Sequence, residues 1–156
     1  MRLAKSFWFA LCGLGHCIKY ERNFRIHITA AVTVIIFAVL YGLERFYVPW
    51  LALAITLVIG FEAFNTAIEQ TIDLAEPDFH PLAKRAKDIS AGAVMLAAVC
   101  AVVVAVCIFS DTVRLQGVLT RFFDLRWLSG GVLYVLLCVW FILKTPQKKP
   151  VSRTRN

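Results

Sequence analysis

The chain has 156 residues, 60% of them apolar and 17% charged, with a mean hydropathy of +0.72 and a formal net charge of +7. That balance excludes an ordinary soluble domain, leaves no room for a separate soluble catalytic domain, and reads as one small all-α membrane protein. The basic residues cluster at the ends of apolar runs, which argues against nucleic acid and for anionic lipid headgroups and an anionic cytoplasmic substrate.

Residues 1–22 predict an amphipathic helix. Leu3, Phe7, Leu11, Leu14 and Ile18 recur at three- to four-residue intervals, with Lys5, His16 and Lys19 elsewhere. Such a helix lies in a membrane interface or packs as the first helix of a bundle. Gly13-Leu14-Gly15 is no nucleotide loop, because Ile18 stands where the third glycine belongs and no strand precedes it. Polar residues interrupt this segment throughout, so a cleavable signal peptide is not expected.

The cluster Glu21-Arg22-Asn23-Phe24-Arg25-Ile26-His27 feeds the first predicted span, residues 28–43, with a start as early as Asn23 left open. It reads as an ordinary juxtamembrane charge cluster or, through Glu21, as the source of a metal ligand at the membrane edge. Gly42 and Glu44-Arg45 mark a short loop. The second span, 49–74, opens on Pro49, a favoured first-turn residue. It is almost wholly apolar as far as Phe61. Glu62, Asn65, Glu69 and Asp73 then follow at i, i+3, i+7 and i+11, on one helical face less than a quarter-turn wide. By helical rise Glu62 lies roughly 18 Å along this helix and Glu69 roughly 28 Å, against a hydrocarbon core about 30 Å thick. Glu62 is therefore placed to meet a lipid headgroup alcohol, and Glu69 something dissolved in water. Ionisable groups at membrane depth are rare and mark functional sites.

Pro77 and Pro81 bound a polar loop, 76–87. Lys87 and Asp88 are expected where the next helix begins, Lys87 beside backbone N–H groups suited to phosphate and Asp88 as the N-cap. The third span, 89–109, carries a small-residue face built on Ala91, Gly92, Ala93, Ala97 and Ala98. Residues 111–126 read as an irregular or interfacial connector, 128–143 as a fourth span, and the segment from Lys144 onward as a basic, disordered tail. Thirteen of the seventeen Lys and Arg residues fall before the first span, in the 76–87 loop or from Lys144 onward. Both termini and that loop are therefore expected in the cytoplasm. The five cysteines form no CxxC and read as structural thiols.

Phosphoryl transfer requires a cation for phosphate charge, donors for phosphate oxygens and a base for the acceptor's proton. Glu21 with Glu69 could supply carboxylates for Mg²⁺, Lys87 the phosphate cradle and Glu62 the base. No Walker A, HRD or DFG motif occurs, which excludes a conventional kinase fold. The non-enzymatic alternative is a cation transporter or channel subunit. It accounts for Glu62 and Glu69 but not for Lys87, Asp88 or the His80 loop.

The run Glu62-Ala63-Phe64-Asn65-Thr66-Ala67-Ile68-Glu69, then Asp73, His80 and Ala86-Lys87-Asp88, resembles the small bacterial integral-membrane lipid kinases, comprising diacylglycerol kinase and undecaprenol kinase. Residues 21–27 look like the undecaprenol kinase form of the first motif, and the likeness covers roughly residues 2–110. It implies that Glu62 is the catalytic base, that Glu21 and Glu69 hold Mg²⁺, and that Asn65 helps organise the site. Arg2, Asp78, Phe79, His80, Lys87 and Asp88 would contact ATP. Phe9 stands where some members carry an adenine-side Tyr, so a hydroxyl contact is lost there. The nucleotide side as a whole is then Arg2, Phe9, Glu21, Asn65, Glu69, Asp78, Phe79, His80, Lys87 and Asp88. The resemblance further implies three core spans, an interfacial helix, homotrimers with composite sites, and a membrane lipid alcohol (undecaprenol or diacylglycerol) as acceptor in the bacterial inner membrane. Residues 111–156 lie outside the likeness, and the chemistry is expected to need only residues 1–110.

Overall fold

Turn chemistry sets where each helix stops. In the computed structural model, which describes residues 2–122 and 125–144, helix α1 (Arg2–Tyr20) breaks at Glu21, whose backbone is extended, and α2 (Arg22–Tyr41) follows at once. α2 ends at Gly42, which adopts the left-handed conformation (φ 71°) and turns its N–H back to the Ala38 and Val39 carbonyls. Glycine takes that conformation without the Cβ clash other residues meet. A 3-10 turn (Arg45–Tyr47) then leads into α3 (Val48–Ala75), with Pro49 in its first turn. α3 stops before Pro77, which has no N–H to continue the ladder. α4 (Pro81–Ile108), α5 (Thr112–Phe122) and α6 (Leu125–Leu143) complete the described chain, and no strand occurs among the described residues. The tail expected from residue 145 lies outside them.

Two boundaries differ from the sequence expectation. The loop before α4 is shorter than 76–87, because the helix begins at Pro81. Proline's fixed φ and missing N–H suit a first helical position, and His80 caps the helix, its Nδ1 accepting from the Leu82 N–H at 3.2 Å. Asp88 therefore lies two turns inside α4 and is not an N-cap, and Lys87 is not at a helix start. The 111–126 connector is largely helical as well. Asp111 Oδ1 accepts from the N–H groups of Val113 and Arg114 at 3.0 and 3.2 Å, a side-chain cap that starts α5.

α3 and α4 run antiparallel, and α2 lies against α3 in the opposite sense. At one end of this three-helix unit Ala38, Leu51 and Ile108 are buried together, supported by Val34, Ile55 and Val104. Phe37, Tyr41 and Phe109 meet edge to face there, with centroids 4.9 and 5.1 Å apart. The outward faces remain apolar; Val39 and Leu96 are 75% and 68% exposed. Outward apolar surface on that scale belongs to a chain whose solvent is hydrocarbon. α2, α4, and α3 with its preceding 3-10 turn are each long and apolar enough to cross a membrane, whereas α6 contributes a shorter apolar stretch, Ser129–Leu143.

Candidate active site

The opposite end of the unit is polar. Glu62, Asn65 and Thr66 are buried at 4%, 6% and 5% exposure, although all three sit on an otherwise apolar helix. Further along the same face Glu69 is half-buried and Asp73 exposed. The acidic stripe thus passes from closed to open along α3, in the order its spacing predicts.

Asn65 organises the stripe. Its Nδ2 donates to Glu69 Oε1 at 3.0 Å, and its Oδ1 accepts from Ser90 Oγ of α4 at 2.6 Å. With both ends of the carboxamide engaged, its orientation is fixed. Ser90 Oγ also lies 2.9 Å from the Lys87 carbonyl one turn earlier, so the hydroxyl ties α3 to the turn of α4 that carries Lys87. Lys87 Nζ in turn forms an ion pair with Asp73.

α2 closes the other side. His27 Nε2 stands 3.9 Å from Glu62 Oε2, and Glu21 Oε1 accepts from Nε2 of Gln70, the residue after Glu69, at 3.4 Å. The break at Glu21 therefore brings its carboxylate to the turn of α3 that holds Glu69. Cys17, one turn before Glu21, is buried, and burial together with the Glu21 charge pushes its thiol pKa up.

Of the residues singled out in the sequence, Glu62, Asn65, Glu69, Lys87 and Glu21 fall on this one end: Asn65, Glu69, Lys87 and Glu21 are linked directly or through Gln70, Asp73 and Ser90, and Glu62 faces His27 of α2. His80 caps α4 as described. Asp78, Phe79 (82% exposed), Phe9 (69% exposed) and Asp88 are exposed, and the Arg2 side chain lies outside the described residues. Ser90 and Gln70 went unassigned in the sequence. Ser90 is a lone hydroxyl where the apolar part of α4 begins, and only the pairing of α3 with α4 puts it opposite Asn65.

Among the described residues no three His, Cys, Asp or Glu side chains converge on one point. A zinc-type cage is not what this donor set builds. Two carboxylates near an open edge, with a lysine at hand, match the hard-oxygen, part-hydrated coordination that Mg²⁺ takes with a nucleotide.

A buried carboxylate, Glu62, followed by half-buried and exposed ones at one end of an apolar three-helix unit, points to a helical membrane protein with a polar site at one face. Comparison with known proteins narrows this. The family model described as prokaryotic diacylglycerol kinase matches residues 8–109, and the chain belongs to that family. It is 46% identical over 107 residues to a diacylglycerol kinase of Synechocystis, covering 68% of this chain and 61% of that protein. Over 110 residues it is 39% identical to the undecaprenol kinase of Bacillus subtilis, covering 69% of this chain and 88% of the relative. A diacylglycerol kinase of Escherichia coli is 28% identical over 102 residues, 65% of this chain and 84% of the relative. No solved structure matches the chain.

Proposed function

We propose that the protein is an ATP- and Mg²⁺-dependent kinase that phosphorylates the hydroxyl of a membrane lipid alcohol, undecaprenol or diacylglycerol, at the cytoplasmic face of the bacterial inner membrane. The observation that carries this reading is the passage along α3 from buried Glu62 to open Asp73, with Lys87 and Glu21 gathered at the open end. It offers a desolvated carboxylate to a lipid hydroxyl and a hydrated, charged edge to a nucleotide. The first motif, residues 21–27, and the loop before α4 favour undecaprenol as acceptor, while the overall identities, 46% to a diacylglycerol kinase and 39% to an undecaprenol kinase, do not separate the two.

Glu62 takes the proton of the acceptor hydroxyl as that oxygen attacks the γ-phosphorus, and the bond from that phosphorus to the β–γ bridging oxygen breaks to release ADP. Asn65 holds Glu69 in place, and Ser90 holds Asn65. A Mg²⁺ ion bound by Glu21 and Glu69 would supply charge neutralisation for the phosphates. Lys87 exchanges Asp73 for a phosphate oxygen. Asp78, Phe79 and His80 of the short loop and Asp88 two turns into α4, with Phe9 and Arg2 of α1, form the nucleotide side. α1 lies in the interface as an amphipathic helix, and the assembly is a homotrimer. α6 is a fourth span: it runs antiparallel to α2 and is about as long, which puts its C-terminal end on the side of the N-terminus of α2. That arrangement supports both termini on the cytoplasmic side.

The test is Glu62→Gln, which keeps shape and hydrogen bonding but removes the basic oxygen. Positioned acid–base catalysis typically contributes about 10²–10⁴-fold, so kcat should fall by that order while ATP affinity changes little. Turnover and ATP binding measured on one preparation, with both lipid alcohols in competition, separate the effects. Survival of turnover within a few-fold removes Glu62 as the base. A wild-type protein that binds no ATP returns the cation transporter or channel reading.

A further inference from the structure

Arg25 is 2% exposed, more deeply buried than Glu62, and lies one turn after Glu21 on α2. Its guanidinium reaches the C-terminal end of α6. Nη1 donates to the carbonyls of Phe141 and Lys144 at 3.0 and 2.5 Å, and the guanidinium carbon sits 5.8 Å from the centroid of the Phe141 ring. The last carbonyls of a helix lack intrahelical donors and carry the negative end of its dipole. A buried cation at that position therefore meets acceptors that need a donor. Phe24 beside it is also 2% exposed, so two successive side chains of this turn of α2 are buried. The same turn begins at Glu21, facing Gln70, and ends near His27, facing Glu62. Further down, Thr33 and Tyr134 hydroxyls meet at 2.7 Å, Tyr41 Oη accepts from the Asp111 N–H at 3.1 Å, and Arg114 pairs with Glu44 at 2.7 Å. The C-terminal extension is thus laid along the full length of α2.

We infer that Arg25 is a positioning residue: by holding the C-terminal end of α6 it fixes the turn of α2 that presents Glu21 and His27 to α3. The extension beyond Ile108 then completes a site that the sequence assigns to residues 1–110 alone. The catalytic consequence rests on the lipid kinase reading; the structural consequence does not.

Two measurements on the full chain test it. In a background with the five native cysteines replaced, Glu21→Cys with Gln70→Cys reports by cross-linking whether the turn stays against α3. Hydrogen bonds to a charged group bias such docking by roughly ten- to hundredfold. Arg25→Ala should lower the cross-linking rate on that order, Arg25→Lys less, and Phe141→Ala in the same direction. Arg25→Ala added to Phe141→Ala should cost less than the sum of the two, since both act through one contact. In the chain with its native cysteines, Arg25→Ala should raise the Mg²⁺ concentration for half-maximal turnover several-fold, an effect that mere loss of folded protein does not produce. Unchanged cross-linking with lost turnover places Arg25 at the chemistry itself and overturns the inference. So does reduced cross-linking with an unaltered Mg²⁺ requirement, or full additivity with Phe141→Ala. A wild-type chain without lipid kinase activity sinks the kinase reading alone, because the cross-link still reports the brace. Should Arg25→Ala fail to fold, Arg25→Lys and Phe141→Ala carry both measurements.

Discussion

Changing Ser90 to Ala removes one hydroxyl and leaves Asn65 Oδ1, on a residue only 6% exposed, without its donor. An unsatisfied buried acceptor costs about 1–3 kcal/mol in soluble proteins. Hydrogen bonds between membrane helices average about 0.6 kcal/mol and reach about 1.7. The lower scale decides here, because the stripe opens within a turn to the half-buried Glu69, and water can reach a freed amide from that side. A stability loss of about 1 kcal/mol is expected. Catalysis should suffer more. An Asn65 amide free to rotate presents its oxygen to Glu69 in one of its two orientations, replacing a 3.0 Å donor with a repulsion. Losing one hydrogen bond to a carboxylate costs about 1.5–3 kcal/mol, so turnover should fall at least about tenfold. The assay is thermal unfolding in detergent beside turnover at saturating lipid. Ser90→Thr, which keeps the hydroxyl, should recover most of both. Asn65→Ala combined with Ser90→Ala should be little worse than Asn65→Ala alone, since the two act as one unit. Wild-type turnover in Ser90→Ala would refute the coupling of α4 to Glu69.

Three further outcomes are expected. Glu69→Gln and Glu21→Gln should each raise the Mg²⁺ requirement along with lowering the rate; an unchanged requirement in Glu21→Gln makes that residue a juxtamembrane charge only. Burial and the Glu21 charge hold the Cys17 thiol pKa above its ordinary value, and only the thiolate alkylates. Cys17 should therefore react more slowly than exposed Cys12 at neutral pH, reach the same rate only at higher pH, and speed up in Glu21→Gln; equal pH profiles for the two thiols would contradict that burial. Single-cysteine labelling in intact cells should place position 149 inside and position 114 outside, and an external position 149 removes α6 as a span.

α2, α3 and α4 were legible because each is written twice, once in its apolar run and once in a start or stop signal, whereas α5 has no apolar run and reads in sequence as a connector. Gly42, Pro77 and Pro81 ended or began elements by backbone chemistry that a sequence displays openly. The start of α4 was misjudged for a related reason. Lys84, Arg85 and Lys87 look like loop residues by polarity, yet Pro81 with His80 as cap outranks polarity in deciding where a helix begins. The face carrying Glu62, Asn65, Glu69 and Asp73 followed from spacing alone, since helical geometry leaves no freedom there. Partners across helices did not follow. Nothing local tells Ser90 from any other helical serine, or Gln70 from a solvated glutamine, until α3 meets α4 and α2. Arg25 misled most. Beside Arg22 it reads as one more juxtamembrane charge, and its burial depends on α6, more than a hundred residues later.

Helix lengths explain why the site lies where it does. α3 and α4 have 28 residues each, or roughly 42 Å of rise, about 12 Å more than a hydrocarbon core of about 30 Å. α3 is apolar from its start through Phe61, so the excess must project at its C-terminal end, and the short link to α4 makes that helix project beside it. An excess of about 12 Å is roughly eight residues, which takes in Glu69 and Asp73 on α3 and Lys87 on α4. In a bilayer of that thickness Glu62 would be left below the surface. α2, with 20 residues, rises roughly 30 Å and has no such excess. Its N-cap, Glu21, therefore stands at the level where α3 emerges, which is where it meets Gln70. On the proposed lipid kinase reading, the chemistry would divide between lipid and water because two helices are longer than a hydrocarbon core and a third is not.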